Sequence, residues 1–234
     1  MNPSDENLVA ALSRHAVELP GPQVERLERF CRLLWEWNQK LNLTRHTDFD
    51  RFVARDLIDA LALARLLEPS ERVLDVGTGG GLPGVILAVV RDDLHVALCE
   101  SVAKKAKAVA DVVGRMRLPV PVLHGRAEDL LGPRRFNTLV IRAVARLPKL
   151  LRWFRPRLQF FDRMLLVKGP SWVEERAEAR HHGLLKNLAL RRLATYPSPG
   201  SDAESVVLQI CARPKLLPDN RCRLTEWAVE AGST

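Results

Sequence analysis

A strand that runs into closely spaced glycines and then into a helix constrains the fold of this chain more than any other feature. The stretch RVLDVGTGGGLPGVILAVV places Gly77, Gly79 and Gly81 at alternate positions after an apolar run that holds Asp75. Glycines permit a tight turn and let backbone N–H groups approach a ligand closely, while the start of the following helix favours a negatively charged group. We therefore predict an α/β protein with a nucleotide-type loop after its first strand.

The pattern on either side of the loop predicts a doubly wound, Rossmann-like α/β domain behind a helical segment. Residues 22–43 and 48–67 carry apolar residues at helical spacing, and β-branched runs then alternate with helical stretches. The expected strands are 72–76, 95–100, 120–124, 138–142 and 164–168, closed by an antiparallel pair at 190–196 and 205–212. The expected divisions are a helical cap over 1–68, an α/β domain over 69–212 and a basic tail over 213–234 with a short helix near 225–230.

Composition narrows the class of protein. Lys and Arg number 36 against 28 Asp and Glu, and the resulting net charge of +8 favours a polyanionic partner. The apolar runs are far shorter than the roughly 18 residues that cross a bilayer, and the N-terminus lacks the basic and apolar order of a signal peptide. The four dispersed cysteines form no C-x-x-C pair. We expect a cytoplasmic protein with reduced cysteines, no membrane segment and no metal site.

The acids around the glycine loop follow a known arrangement. The run D-x-G-x-G-x-G that begins at Asp75 resembles the first motif of class I S-adenosylmethionine-dependent methyltransferases. The resemblance implies that the loop wraps the methionine part of the cofactor, that Asp75 helps to hold its ammonium group, and that Glu128 meets the adenine amino group. Glu100, at the end of the second strand, suits the ribose hydroxyls of either S-adenosylmethionine or NAD.

A G-x-G-x-x-G run that begins at Gly79 also satisfies the dinucleotide fingerprint, so an NAD-dependent oxidoreductase is an alternative. In that fold the first glycine follows the strand almost at once, whereas Gly77 takes that place here. The register of the loop therefore disfavours NAD.

Further motifs narrow the resemblance to one family. In chain order they are WEWNQKLNLT, RDLIDAL, DVGTGGGLPG, ES followed by KK, RAE, IRAVA and VKG. Over residues 35–169, and more weakly to 212, they resemble the bacterial small-subunit (16S) ribosomal RNA guanine-N7 methyltransferases, once called glucose-inhibited division protein B. The resemblance implies methyl transfer from S-adenosylmethionine to a guanine N7 in the 530 loop of 16S ribosomal RNA, free or in the small ribosomal subunit. We expect the protein to be a monomer.

The resemblance also assigns site residues. By position it makes cofactor contacts of Gly77, Leu82, Ala127, Glu128 and Arg142. The full set of candidate cofactor-binding residues is Asp75, Gly77, Gly79, Gly81, Leu82, Glu100, Ala127, Glu128 and Arg142. The candidate RNA-binding residues are Arg126, Arg146, Lys149 and Lys168.

This chain departs from the family pattern at three positions. Where the family reads R-H-x-x-D-S, Asp56 and Ala60 replace the histidine and the serine, and Glu204 stands where an arginine usually precedes the last strand. All three lie outside the glycine loop, so we expect them to affect substrate choice or turnover and to leave cofactor binding intact. An RNA- or ribosome-binding paralogue with altered or lost activity is therefore a second alternative.

The implied reaction needs little acid–base machinery. Guanine N7 carries a lone pair and no proton at neutral pH, so the enzyme must only align it with the methyl group, an effect that can be worth about 7 to 11 kcal/mol. An arginine fork on guanine O6 and N7 would occupy the nucleophile. We therefore expect Arg142, the candidate catalytic residue, to bind O6, a phosphate or the cofactor.

A basic segment follows the fourth predicted strand. Residues 141–163 mix arginines with aromatic residues, a combination that suits RNA phosphates and stacked bases. The alternative is an ordinary amphipathic helix whose cations face solvent. We expect Arg146 and Lys149, the residues nearest the glycine loop, to make the RNA contacts.

Overall fold

The computed structural model describes residues 7–197 and 203–212, and its centre is one seven-stranded sheet of order β3-β2-β1-β4-β5-β7-β6. Strands β1 to β5 run parallel, and β7 is antiparallel to both of its neighbours. The strands are β1 (Arg72–Val76), β2 (His95–Glu100), β3 (Val122–His124), β4 (Phe136–Arg142), β5 (Phe161–Lys168), β6 (Leu188–Pro197) and β7 (Glu204–Ala212). The predicted doubly wound fold with an antiparallel last strand is confirmed.

Helices cover the two faces of this sheet. They are α1 (Leu8–Arg14), α2 (Gly21–Asn38), α3 (Phe49–Arg51), α4 (Ile58–Ala64), α5 (Gly84–Val90), α6 (Ala103–Met116), α7 (Ala127–Leu130), α8 (Leu147–Phe154) and α9 (Trp172–His181). A π-helical turn, Phe52–Leu57, joins α3 to α4, and a 3₁₀ helix, Arg155–Phe160, follows α8. None of the helices in the described ranges is long and apolar enough to span a membrane.

Each face of the sheet has its own hydrophobic core. Successive strand residues point to opposite faces, so Val73 packs with the N-terminal helices, α5 and α6, while Leu74 packs with α8 and α9. Strands buried on both faces read as continuous apolar runs, which explains why β1 and β2 match their predicted bounds. Strands β4 and β5 begin earlier than predicted because each starts at a buried phenylalanine followed by polar residues.

The N-terminal helices share the core of the first face. Phe30 and Leu34 of α2 are fully buried in the same cluster as Val73 and Val85. A Cβ atom at Gly80 would lie 2.8 Å from Leu34 Cδ1, so α2 packs directly on the glycine loop. We propose that residues 7–68 are part of one folding unit with the sheet, although they were predicted as a cap. The predicted tail over 213–234 and its short helix lie outside the described residues.

Candidate active site

A cleft of about 840 Å³ lies at the carboxyl ends of β1, β2 and β4. Strand β1 sits between β2 and β4, so the chain crosses over in opposite directions on its two sides, and α/β sheets bind ligands at such a point. Gly77, Gly79, Leu82, Glu100 and Arg142 line the cleft from the sheet side, whereas the predicted cofactor-binding residues Asp75 and Gly81 do not line it. Residues 42–46, which precede α3, form the opposite wall.

The glycines of the loop are required by its geometry. Gly77 has φ of +67°, and a Cβ atom there would lie 2.8 Å from Val144 Cγ2. A Cβ atom at Gly84 would lie 2.7 Å from Asp75 Oδ2 and would also collide with the side chain of Leu98. The last glycine of the apparent dinucleotide fingerprint therefore permits close packing of α5 on β1 and β2.

Asp75 organises the loop from beneath. Its Oδ2 accepts hydrogen bonds from Thr78 Oγ1 at 2.5 Å and from the Gly84 N–H at 2.8 Å. Burial raises the pKa of Asp75 to about 6, although these two hydrogen bonds favour its ionised form. Its Oδ1 is buried and has no hydrogen-bond partner. One carboxylate oxygen therefore shapes the loop while the other is unsatisfied.

Glu100 fastens the loop to the end of β2. Its Oε2 accepts the Gly79 N–H at 3.0 Å, and its Oε1 accepts the Val102 N–H at 2.8 Å. The side chain is almost completely buried, yet it lines the cleft. Because each carboxylate oxygen can accept more than one hydrogen bond, Glu100 keeps acceptor capacity for a ligand.

Arg142 stands at the end of β4 in a network of carboxylates. Its Nη2 donates to Asp56 Oδ1, and its Nε lies 3.2 Å from Asp59 Oδ2. His46 Nδ1 lies 2.9 Å from Asp56 Oδ2, and the Tyr196 hydroxyl donates to Asp59 Oδ1 at 2.7 Å. Burial alone would lower the pKa of Arg142, but the two carboxylates outweigh it and raise that pKa. Arg142 Nη1 is buried and has no partner.

The structure gives the surroundings of two of the three departures from the family pattern. The family has a histidine at the position of Asp56, and in this chain His46 places an imidazole beside Asp56. Ala60 is fully buried in the first hydrophobic core, where a serine hydroxyl would need a hydrogen-bond partner. His46, Asp59 and Tyr196 belong to this network but were not predicted as site residues. The only local signal was the spacing of Asp56 and Asp59, which puts both on one helix face.

The motif WEWNQKLNLT shapes the second wall of the cleft. Trp35 Nε1 donates to the His46 carbonyl at 2.8 Å. Asn38 Oδ1 accepts the N–H groups of Leu43 at 2.8 Å and Thr44 at 3.0 Å. These bonds fold residues 42–46 back over the glycine loop, so the motif has a structural role in this wall of the cleft.

The predicted adenine-side residues lie in the next loop along the sheet edge. Ala127 is buried, and Glu128 forms an ion pair with Arg126 at 2.6 Å. The Gly125 N–H donates to the Glu100 carbonyl at 3.0 Å, which ties this loop to β2. Ala127 and Glu128 do not line the cleft itself. Their contact with the cofactor stays a prediction.

The predicted RNA contacts divide into exposed and internal residues. Arg126 and Lys149 lie over the Trp153 ring, 5.5 and 5.1 Å from its centroid. Arg146 forms an ion pair with Glu178 at 2.8 Å and is largely exposed. These three remain candidates for RNA binding because their cationic groups reach the surface.

Lys168 has an internal role instead. Its Nζ donates to Glu175 Oε2 and to the Ala145 carbonyl, both at 2.8 Å. The same Glu175 oxygen accepts the Leu147 N–H at 2.6 Å, at the start of α8. Lys168 therefore helps to hold α8 to β5 within the protein, and its contact with RNA stays a prediction.

The other arginines of the basic segment do not line the cleft. Helix α8 starts at the carboxyl end of β4 and runs back toward the start of β5, so Arg152 and Arg155 follow it away from that edge. Arg155 Nη1 lies 3.4 Å from the Gly183 carbonyl, and Arg157 Nε donates to the Glu128 carbonyl at 2.9 Å. The aromatic Phe154 between them is fully buried, as the amphipathic-helix alternative requires.

Glu204, the third departure, is exposed at the start of β7, opposite Pro197. Because Val206 pairs with Lys168 at the carboxyl end of β5, Glu204 lies at the same sheet edge as the cleft. Arg192 pairs with Leu208, too far along the strand to compensate the carboxylate, and residue 213 lies outside the described ranges.

We expect Glu204→Arg to strengthen RNA binding and steepen its salt dependence by about one unit, with cofactor affinity unchanged. Equal RNA affinity of the two proteins across a salt series would mean that position 204 does not face RNA.

The comparisons with known proteins agree on one family. The family model for rRNA small subunit methyltransferase G matches residues 23–196. The chain is 52% identical over 193 residues to a Rhodopirellula baltica protein named Ribosomal RNA small subunit methyltransferase G, covering 82% of this chain and 84% of that one. It is 38% identical to Ribosomal RNA small subunit methyltransferase G 1 of Syntrophobacter fumaroxidans, covering 97% and 98% of the two chains.

Solved structures share the fold at low sequence identity. TrmK of M. capricolum in complex with S-adenosyl-homocysteine superimposes with a TM-score of 0.51 at 13% identity, over 66% of this chain and 67% of that one. MtNAS in complex with MTA and tNA gives a TM-score of 0.53 at 17% identity, over 91% and 84%. The family model and the curated relatives go further than the fold and confirm the predicted family. The chain belongs to the rRNA small subunit methyltransferase G family.

Proposed function

We propose that this chain transfers a methyl group from S-adenosylmethionine to N7 of a guanine in 16S ribosomal RNA. The name of the family supports a small-subunit ribosomal RNA substrate. One observation carries the cofactor assignment, and it concerns Arg142, which lines the cleft, and Asp75, which is buried beneath the glycine loop. Among the described residues, the buried side-chain atoms without a hydrogen-bond partner are Asp75 Oδ1 and Arg142 Nη1. They have opposite charge and lie at the ends of the neighbouring strands β1 and β4.

These two atoms fit the methionine end of S-adenosylmethionine, which carries both an ammonium and a carboxylate group. Asp75 Oδ1 offers an acceptor to the ammonium, and Arg142 Nη1 offers a donor to the carboxylate. A buried polar atom without a partner costs about 1 to 3 kcal/mol, so a ligand that satisfies both atoms recovers that free energy on binding. Glu100, with acceptor capacity left on a buried carboxylate, would hold the ribose hydroxyls.

When bound, the cofactor supplies an electrophilic methyl group. Arg142 Nε and Nη2 already contact Asp59 and Asp56, and Nη1 is the donor proposed for the cofactor carboxylate, so all three nitrogens have a role other than a fork on guanine O6 and N7. The lone pair of N7 is thereby left available as the nucleophile. The chain therefore needs to bind and orient the base, and no side chain has to remove a proton.

Cofactor affinity should follow the ionisation of Asp75. In the free protein its pKa is raised to about 6, and an ammonium group bound beside Oδ1 would favour the ionised carboxylate and lower that pKa. Below about pH 6 a proton must therefore leave Asp75 on binding, so we expect affinity for S-adenosylhomocysteine to fall toward about tenfold per pH unit. Above that pH the affinity should be level. Calorimetric titration from about pH 5 to pH 8 measures this dependence.

Asp75→Asn is the control for that titration. The amide keeps an acceptor oxygen for Thr78 and Gly84 but has no proton to lose in this range. We expect weaker binding that does not change between the two ends of the pH series. Binding by the unchanged protein that is equally independent of pH would show that Asp75 does not contact the ammonium group.

Methyl transfer in vitro tests the proposed function. The purified protein is incubated with methyl-labelled S-adenosylmethionine and 16S ribosomal RNA, or small subunits, from a strain that lacks the gene. We expect label in 7-methylguanosine after digestion, and protection from thermal unfolding by S-adenosylhomocysteine and not by NAD. Label in another nucleoside would overturn the N7 assignment, and binding of RNA without transfer would favour the inactive paralogue. Cytoplasmic location and a monomeric state remain predictions.

A further inference from the structure

A second pocket lies beside the cleft that Glu100 and Arg142 line, which we call the cofactor cleft. This second pocket has a volume of about 590 Å³ and lies between α1, the segment before α3 and the π-helical turn. We call it the cap groove, and it is lined by Arg14, His15, Arg45, His46, Asp50, Arg51, Ala54 and Arg55. Arg45 and His46 also line the cofactor cleft, so the two pockets are adjacent.

The cap groove carries an excess of positive charge. Four arginines and two histidines line it, and Asp50 is the one carboxylate among these lining residues. Asp50 Oδ2 lies 2.9 Å from Arg14 Nη2, and its Oδ1 lies 3.3 Å from His15 Nε2. Arg45 is exposed and has no carboxylate partner in the described part of the chain. A polyanion that enters the groove therefore meets several donors and one lining carboxylate, and a second carboxylate, Asp48, lies 3.4 Å from Arg51 Nε.

The π-helical turn places neighbouring residues in the linings of the two pockets. Asp56 lines the cofactor cleft and holds Arg142, while Arg55, the preceding residue, lines the cap groove. Phe52 and Val53 of the same turn are buried in the core, so the turn is firmly anchored. Single π-helical turns within α-helices occur frequently at functional sites. Here the turn couples the residue that positions Arg142 to the wall of the basic groove.

We propose that the cap groove binds phosphates of single-stranded RNA next to the target guanine. The proposal rests on the proposed function, because a base placed in the cofactor cleft keeps its sugar-phosphate backbone attached and that backbone must leave through an adjoining surface. Guanidinium groups bind phosphate with two parallel hydrogen bonds. Proteins also recognise RNA bases mostly in single-stranded loops, where a base can leave the stack. An acidic protein segment is disfavoured because nothing would require it to lie beside the methyl-transfer cleft.

Three variants test this groove. Arg45→Glu reverses the charge of an exposed arginine, and Asp50→Asn removes the repelling carboxylate. Arg26→Glu makes the same charge change at an exposed position of α2 that lines neither pocket. The probes are 16S ribosomal RNA without protein and small subunits, both from a strain that lacks the gene. Dissociation constants are measured over a salt series, with thermal unfolding and S-adenosylhomocysteine affinity for every variant.

We expect Arg45→Glu to weaken binding of the protein-free RNA about tenfold and to lower the salt slope by about one unit, which exceeds the effect of Arg26→Glu. Asp50→Asn should strengthen RNA binding, a gain that partial unfolding cannot produce. The Arg45→Glu variant should raise KM for RNA more than it lowers kcat. Equal losses in the two charge-reversal variants would overturn the proposal. So would a loss of affinity for small subunits alone, since the groove would then bind a ribosomal protein. These affinities do not depend on methyl transfer, so failure of the proposed function would be seen separately.

Discussion

Gly77→Val will abolish cofactor binding in a calorimetric titration with S-adenosylhomocysteine. A β-branched residue at φ of +67° is strained by about 1 to 3 kcal/mol, and its Cβ atom would lie 2.8 Å from Val144 Cγ2. The loop must therefore move away from the residues that follow β4, which displaces the backbone that faces the cleft. The expected loss of affinity is about a hundredfold or more, since each 1.4 kcal/mol is a factor of ten.

Gly79→Ala is the matched control for this variant. Gly79 also has positive φ, at +57°, but a Cβ atom there has no neighbour closer than 3.9 Å. The alanine therefore adds backbone strain without the collision at Val144, and we expect a smaller loss of affinity. Binding by Gly77→Val at the level of the unchanged protein would contradict the assignment of this loop to the cofactor.

Arg142→Ala will reduce methyl transfer more than alanine at Arg152, Arg155 or Arg157. The site arginine supplies the unsatisfied Nη1 atom at the cleft, and misplacement of reacting groups by about 1 Å can cost a hundredfold in rate. Arginines that only contact RNA phosphates are interchangeable, so each should lower the salt slope of binding by about one unit. Rates from single-turnover assays with saturating RNA provide the comparison. Equal losses at all four positions would show that Arg142 contributes only general electrostatics.

Stability must be measured beside this rate. Removal of Arg142 leaves Asp56 and Asp59 as buried carboxylates without their cation, which can cost about 3 to 5 kcal/mol. Arg142→Lys retains a positive charge near these carboxylates but cannot reproduce the planar guanidinium. We expect this variant to be more stable than Arg142→Ala and still to be defective in cofactor binding. That combination separates the role of Arg142 in the cleft from its role in the fold.

Local sequence patterns predicted the strands well and the site only in part. Strands β1 and β2 are short, buried runs with Asp75 next to the end of β1 and Glu100 at the end of β2, so pattern and structure agree at their bounds. The helix predicted over 48–67 is present, but no local signal marks its π-helical turn. The turn depends on side-chain packing in the core, since Phe52, Val53 and Leu57 are all buried.

Contacts between distant parts of the chain could not be predicted from local sequence patterns. Asp56 and Arg142 are 86 residues apart, and Asp59 and Tyr196 are 137 apart. Periodicity places each residue on an element but does not say which elements face each other. The contact of Lys168 Nζ with the Ala145 carbonyl, 23 residues away, could not be predicted for the same reason.

Mapping of 7-methylguanine in 16S ribosomal RNA tests methyl transfer to N7 most directly. RNA from cells with the gene, cells without it, and cells that carry the Arg142→Ala variant is compared nucleotide by nucleotide. We expect 7-methylguanine at one position to disappear without the gene, to return with the unchanged protein and to remain absent with the variant. Every 7-methylguanine persisting in cells that lack the gene would contradict the proposed function.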